Sequence, residues 1–230
     1  MSKASNSSLG FEHGKIGDRI AVVQRGKQIY KKLYKPTNPR TPKQQMHRAK
    51  LAFINRLSAQ MAEAINLGYA MVPELKEGIS PRNAFAKKNW DNGALVWNEE
   101  EGAWGLCPDH LKLADGPLFI DENITAEVRD SLLYIHCPNP GLTTDSHTAE
   151  DDELHVALYL PAASSLIVKR GPYRKNCKEC WLELPEECLK EDMTTLVYVW
   201  FEASSYHRGT KGHQTIRPSQ ASTSLFLGAF

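Results

Sequence analysis

Residues 38–48 read Asn-Pro-Arg-Thr-Pro-Lys-Gln-Gln-Met-His-Arg and introduce the longest predicted helix of the chain. Thr41 suits the N-cap position. Pro42 suits the first helical position, because its missing N–H would have no partner there. Apolar residues then recur at spacings of three and four until Gly68, which supplies a stop. The pattern predicts one helix over residues 42–66.

A short basic ribbon precedes this helix. Residues 18–25 and 27–34 each alternate in the manner of a strand, and Gly26 between them suits a tight turn. The first 14 residues are polar and are expected to form a flexible or extended arm. Neither strand has a cleanly polar face, and an isolated two-stranded ribbon is marginally stable. We therefore expect the ribbon to pack on the helix or on another subunit.

Charge is distributed unevenly along the chain. The first 50 residues contain 12 Lys/Arg against two acidic residues, a net of +10. The remaining 180 contain 16 basic and 25 acidic residues, a net of −9. An overall charge of +1 thus conceals a basic head and an acidic body, which indicates contact with other macromolecules.

The spacing of apolar residues changes from a helical to a strand pattern at about Gly93. Ser80-Pro81 repeats the cap-then-proline signal and predicts a short helix to about Lys88. Seven short strands without intervening helices are predicted beyond Gly93, over residues 94–97, 111–113, 131–136, 154–160, 180–184, 196–203 and 222–229. The predicted fold is α+β: a ribbon-and-helix assembly module over residues 1–90, then an antiparallel β-sandwich of immunoglobulin or fibronectin type over 91–230.

Cysteine supplies the best metal candidate. Zinc prefers four soft ligands in a tetrahedron, and Cys177-x-x-Cys180 with Cys188 offers three. A fourth would come from Cys137, His136 or Cys107. The alternative, which we favour, is a set of reduced thiols in and beside a core strand, with no cofactor bound. A thioredoxin-type redox pair is less favoured, because no βαβ pattern surrounds the motif.

Motifs of common enzyme classes are absent from the sequence. It contains no H-E-x-x-H helix, no G-x-S-x-G elbow, and neither a P-loop nor a dinucleotide-binding glycine pattern. His136 and His155 fall in predicted strands and are interpreted as structural histidines. We therefore predict that the protein is not an enzyme.

The basic head has three interpretations. Its lysines and arginines could pair with the acidic bodies of neighbouring copies, which is the interpretation we favour. They could instead neutralise nucleic-acid phosphates, with Tyr30 and Tyr34 as stacking platforms. A solvated basic face with no partner is the third. The predicted partner-binding residues are Lys15, Arg19, Arg25, Lys27, Lys31, Lys32, Arg40 and Arg48.

No apolar run approaches the roughly 20 residues of a membrane-spanning helix. The first ten residues also lack the apolar segment of a secretory signal peptide. We expect a protein that folds in a cytoplasm and has no membrane partner.

Several motifs together resemble an uncharacterised family from Bacteroidota genomes, prophages and phages. The specific match covers about the first 90 residues, where the family has a Gly-Lys-x-Gly ribbon followed by Asn-Pro-x-Thr-Pro-x-Gln. The motifs here are Gly14-Lys15-x-Gly17, Asn38-Pro39-Arg40-Thr41-Pro42-x-Gln44 and Ser80-Pro81-x-Asn83-Ala84. Leu184-Pro185, residues 197–201 and residues 222–226 resemble its C-terminal sandwich more loosely. The cysteines and the His207–His213 loop depart from the family pattern.

Similar openings occur in proteins encoded among phage structural genes, and the family has no assigned activity. The resemblance therefore implies a structural component of a bacteriophage virion, from the tail, the connector or the capsid surface. Its partners would be copies of itself and other virion proteins, and it would be assembled in the host cytoplasm. The alternative is a module that binds nucleic acid, protein or glycan.

Overall fold

The computed structural model describes residues 5–6, 12–24, 26–34, 40–70, 78–141, 148–203, 206–208, 214–216 and 221–230. The chain divides into two compact units, residues 1–45 and residues 46–230. Each unit is described by itself below.

Unit 1 is an antiparallel sheet with the strand order β1-β2-β3-β4. Its strands are β1 (Ser5–Asn6), β2 (Glu12–Ile16), β3 (Arg19–Gln24) and β4 (Lys27–Lys32). The two predicted ribbon strands are confirmed as β3 and β4. The predicted arm over residues 1–14 is wrong for its last residues, because Glu12–Ile16 pairs with β3 through Gly14, Lys15 and Ile16.

The predicted long helix is observed as two helices. Helix α1 spans Pro42–Gln60, and α2 spans Ala62–Gly68 after an interruption at Met61. The N-cap prediction is confirmed, because Thr41 Oγ1 accepts the Gln44 N–H at 3.3 Å. Helix α3 spans Pro81–Asn89, and its Ser80 cap accepts the Asn83 N–H at 3.3 Å.

Gly68 is the last residue of α2, and its surroundings explain why this position is a glycine. A Cβ at this position would lie 2.5 Å from both Ala114 Cβ and the Leu113 carbonyl oxygen. Close approach of the backbone therefore requires glycine here, rather than a left-handed conformation.

Unit 2 contains eleven further strands among its described residues. They are β5 (Leu95–Asn98), β6 (Ala103–Leu106), β7 (Thr125–Arg129), β8 (Leu132–His136), β9 (Glu153–Leu160), β10 (Ser165–Tyr173), β11 (Glu179–Glu183), β12 (Leu196–Glu202), β13 (Tyr206–Arg208), β14 (Gln214–Ile216) and β15 (Leu225–Ala229). Six of the seven predicted strands are confirmed. The predicted strand over residues 111–113 is wrong: its backbone is bonded to side chains, with the Leu113 N–H donating to Ser224 Oγ at 2.7 Å. Strands β6, β7, β10, β13 and β14 were not predicted.

The four-stranded sheet β10-β9-β12-β15 is buried on both faces. On one face, Tyr159, Tyr198 and Trp200 share a core with Ile54 and Phe85 of the helices. The other face has its own core, which β9 and β12 share with the three-stranded sheet β11-β8-β7; its members include Val156, Val199, Phe201, Leu133 and Ile135. The sheet thus has helices on one side and strands on the other, which is why β9 and β12 are apolar along nearly their whole length.

These elements confirm the predicted α+β class. The division between the compact units falls between Gln45 and Met46, within α1, and helical residues beyond it share a core with β9 and β12. The predicted domain boundary at residue 90 stays a prediction, because it concerns which segment of the chain folds independently. Within the described residues, no helix is both long and apolar enough to cross a membrane.

Candidate functional site

Strand register divides the predicted basic residues of unit 1 between two faces. Lys15 and Lys31 pair with Ile20 from opposite sides, and Lys27 lies further along the same face, opposite Gln24. All three lysines are exposed, whereas Ile20, Val22 and Ile29 between them are half-buried. We call this surface, with Lys15, Ile20, Val22, Lys27, Ile29 and Lys31, the lysine face. It combines a short aliphatic strip with a cationic rim.

The opposite face of unit 1 has mixed charge. Arg19 pairs with Lys32 in the register, and its Nε lies 3.8 Å from Asp18 Oδ1. Tyr30, 51% exposed, donates its hydroxyl to Glu12 Oε2 at 2.7 Å, and this bond raises the pKa of Tyr30. The carboxylates on this face disfavour a phosphate backbone there.

The remaining predicted basic residues lie near the start of α1. Arg40 is exposed and has a φ of 50°, and its carbonyl oxygen accepts a hydrogen bond from the Gln45 side chain at 2.8 Å. Arg48 is exposed on the helix. Arg25 lies outside the described residues.

The structure brings two of the cysteines into contact. Cys137 and Cys177 are hydrogen-bonded to each other and buried, and Cys177 Sγ also donates to the Arg174 carbonyl at 3.0 Å. Burial raises the pKa of Cys180 to about 11. The bond to Cys177, together with burial, raises that of Cys137. The Cys137 and Cys180 thiols are therefore protonated at neutral pH.

The third predicted zinc ligand has different surroundings. Burial raises the pKa of Cys188, and the other groups that act on its thiol are Thr195, Glu187 and Lys169 rather than a cysteine. No group of three or more His, Cys, Asp or Glu in the described residues is placed to hold a metal ion. Zinc binding by Cys177, Cys180 and Cys188 stays a prediction, which elemental analysis of the purified chain checks.

His155 and His136 occupy different environments. His155 is buried and stacked on Trp200 with ring centroids 5.4 Å apart, and its Nε2 lies 3.0 Å from Glu202 Oε2. His136 is instead half exposed, on the surface of β8, with Nδ1 4.0 Å from Glu179 Oε1. His155 therefore packs within a core, whereas His136 is available to a ligand.

The outer face of β7, β8 and β11 holds a groove of about 550 Å³. Register places Glu127, Tyr134 and Trp181 side by side in one row, and Thr125, His136 and Glu179 in the next. Both rows line the groove. We call these six residues the aromatic platform. Its residues alternate with the buried Ile135 and Cys180, so the same strands form the core and the platform.

Sequence reasoning did not identify the aromatic platform. The signal was present in Glu179-Cys180-Trp181-Leu182-Glu183, where alternation puts Trp181 on the face of two glutamates. A tryptophan on that face is on the solvent side, and Trp181 is indeed 64% exposed. Only the register between β11 and β8 shows that Tyr134 is the cross-strand neighbour of Trp181.

A second groove, of about 460 Å³, lies beside α1. Phe53, Leu57 and Leu106 supply apolar lining, and Arg56 contributes a cation. Tyr159 donates its hydroxyl to Gln60 Oε1 at 2.9 Å, and burial raises the pKa of this tyrosine. The Tyr159 hydroxyl and the Gln60 amide oxygen are thus hydrogen-bonded to each other at the wall of the groove.

Comparisons with known proteins add no assignment to these surfaces: no family model, no curated protein and no solved structure matches the chain.

Proposed function

We propose that this chain is a non-enzymatic structural component of a bacteriophage virion that assembles through its basic N-terminal unit. The observation that carries the proposal is the composition of unit 1. Ala21 is the one buried residue among its described residues, although the unit is a sheet of four strands. So small a core provides little stability by itself, and burying the aliphatic strip against a partner would add to it.

The partner surface is proposed to be acidic. The lysine face has three exposed ammonium groups around its aliphatic strip, and the chain beyond residue 50 carries a net charge of −9. Opposite charges guide the encounter of two copies and fix their relative orientation. The aliphatic strip provides the apolar area that the interface buries. In an assembly of identical chains, every neighbouring copy carries this net negative charge. The virion setting, in the tail, connector or capsid-associated layer, is supported by the resemblance of the opening motifs.

Nucleic acid is the second candidate partner. Tyr34 is 70% exposed at the end of the ribbon, and an exposed aromatic ring beside lysines suits stacking with bases. The carboxylate of Glu12 beside Tyr30 counts against a phosphate backbone on that face. We therefore place this candidate second.

We also propose that the two stacked sheets of unit 2 form a β-sandwich of immunoglobulin or fibronectin type. The shared core of β8, β9, β11 and β12 supports this assignment. Superposition of an experimental structure on such domains tests it.

Sedimentation velocity of the full chain tests the assembly proposal. We expect oligomers at about 0.1 M salt that dissociate at about 1 M, because the screening length falls from about 10 Å to about 3 Å. Addition of DNA should leave the mass unchanged. A monomer at low salt that gains mass only with DNA would reject the proposal in favour of the second candidate.

Quantitative mass spectrometry of purified phage particles tests the virion setting. A fixed copy number relative to the capsid protein is the expected result. Absence of the chain from particles, with the protein present in the infected cells, would reject a virion role.

A further inference from the structure

We propose that the aromatic platform binds a neutral oligosaccharide. The platform comprises two rows of residues on the outer face of β7, β8 and β11, and it lies wholly within unit 2. The inference is therefore independent of the assembly through unit 1, and either can fail without the other.

The aromatic pair of the platform, an exposed tryptophan beside a half-buried tyrosine, supports this proposal first. Trp181 and Tyr134 are direct cross-strand partners, so their side chains are neighbours on one face. Trp181 is 64% exposed although the adjacent Cys180 and Leu182 pack in the core. The fold thus buries the residues around this indole and leaves the indole itself in water. Two adjacent aromatic rings offer apolar surface to the C–H face of a sugar ring, with the indole N–H and the phenol as polar handles.

The polar residues around the rings are the second argument. Thr125, His136 and Glu179 form the row beside the aromatic pair and line the same groove. The Glu179 side chain is 81% exposed and that of His136 is 51% exposed, so both can reach a ligand. Hydroxyl, imidazole and carboxylate groups together donate to and accept from sugar hydroxyls. A groove of about 550 Å³ is also within the usual range for ligand sites.

Charge decides between classes of ligand. Glu127, Glu179 and Glu183 all lie on this face, and Arg129 is bonded to Glu127 at 2.6 and 2.8 Å. The arginine also lies over Tyr134, with its guanidinium carbon 6.0 Å from the ring centroid. These carboxylates repel phosphates and other anions, so nucleic acid and acidic glycans are disfavoured. The charged rim also disfavours a purely apolar ligand.

Isothermal titration of the full chain tests the proposal with neutral linear oligosaccharides of glucose, mannose, galactose and N-acetylglucosamine. We expect at least one to bind, with an affinity that changes little with salt because the ligand is uncharged. Trp181→Ala should weaken binding at least about tenfold, and Trp181→Phe should retain most of it. The matched control is Tyr173→Ala, since Tyr173 is another solvent-accessible aromatic, 49% exposed, outside the groove.

A spectroscopic readout separates stacking from a general effect on the fold. Saturating sugar should shift the tryptophan emission of the wild-type chain, and the shift should vanish in Trp181→Phe while binding persists. Absence of binding by all four oligosaccharides would overturn the proposal. So would wild-type affinity in Trp181→Ala. Dimerisation that Trp181→Ala abolishes would overturn it in favour of a protein partner on this face.

Discussion

Arg174 and Asp152 form an ion pair whose two side chains are both completely buried, with Nε 3.1 Å from Oδ2. The other guanidinium nitrogens donate to the carbonyl oxygens of Pro140 at 2.8 Å and Phe119 at 2.9 Å. The guanidinium carbon also lies 3.7 Å from the centroid of the Phe201 ring. Burial lowers the pKa of Arg174, and Asp152 opposes that change. One side chain thereby joins two loops to the core of the stacked sheets.

Asp152→Asn should therefore destabilise the protein by about 3–5 kcal/mol, because it leaves the Arg174 charge buried without its counterion. Urea unfolding followed by circular dichroism measures the loss. The control is Glu127→Gln, which breaks the exposed pair with Arg129 and should cost less than about 1 kcal/mol. Equal losses of unfolding free energy in the two variants would show that the buried ion pair stabilises the protein no more than the exposed pair does.

Truncation should locate the boundary of independent folding. A chain that lacks residues 1–39 retains Thr41, the cap of α1, and should fold and unfold cooperatively. A chain that lacks residues 1–90 loses the helices that cover Tyr159, Tyr198 and Trp200, and it should aggregate or lose its near-ultraviolet circular dichroism. Cooperative unfolding of residues 91–230 would instead support the boundary predicted from the sequence.

Stability should fall in acid through Asp121. The Asn123 backbone N–H donates to Oδ1 at 3.0 Å, the Asn123 side chain donates there at 2.8 Å, and the Asn139 N–H donates to Oδ2 at 3.0 Å. These bonds, led by the Asn123 backbone, lower the pKa of Asp121 below its ordinary value of 3.8. A lowered folded-state pKa adds stability that is fully present above pH 3.8 and is lost as the pH falls through the folded value.

The matched variant for this prediction is Asp121→Asn. Its amide oxygen can still accept from Asn123, but its NH₂ group cannot accept from the Asn139 N–H. The urea midpoint should therefore be lower than that of the wild type at pH 7, and the gap should narrow as the pH falls below 4. A gap that stays constant across this range would mean that ionisation of Asp121 does not contribute.

Assembly should depend on one face of unit 1 more than on the other. Lys15→Glu with Lys31→Glu reverses charge on the lysine face and should weaken self-association at least about tenfold by sedimentation. Arg19→Glu with Lys32→Glu makes the same change of charge on the opposite face and should have a smaller effect. A weaker effect of the lysine-face pair would contradict the assignment, since both variants change net charge equally.

Local chemistry of the sequence determined much of this structure. The caps at Thr41 and Ser80, the turn between β3 and β4 and the alternation of β8 and β11 depend on neighbours within a few residues, and all are observed. The unpredicted strands differ in this respect. Residues 165–173 contain Gly171 and Pro172, which argue against a regular strand; β10 pairs with β9 at seven other positions, and its register shifts around these two residues, between Arg170 and Tyr173. Pairing with β9 compensated for the weak local preference of this segment for a strand.

Tertiary structure alone decided the faces and the sites. The sequence predicted a strand over residues 196–203, but only packing showed that Tyr198 and Val199 lie in two different cores. It grouped Cys188 with Cys177 because they are close in the chain, whereas the fold pairs Cys177 with Cys137, forty residues earlier. Local preferences act over a few residues, and these contacts instead depend on strand register, which joins residues far apart in the chain.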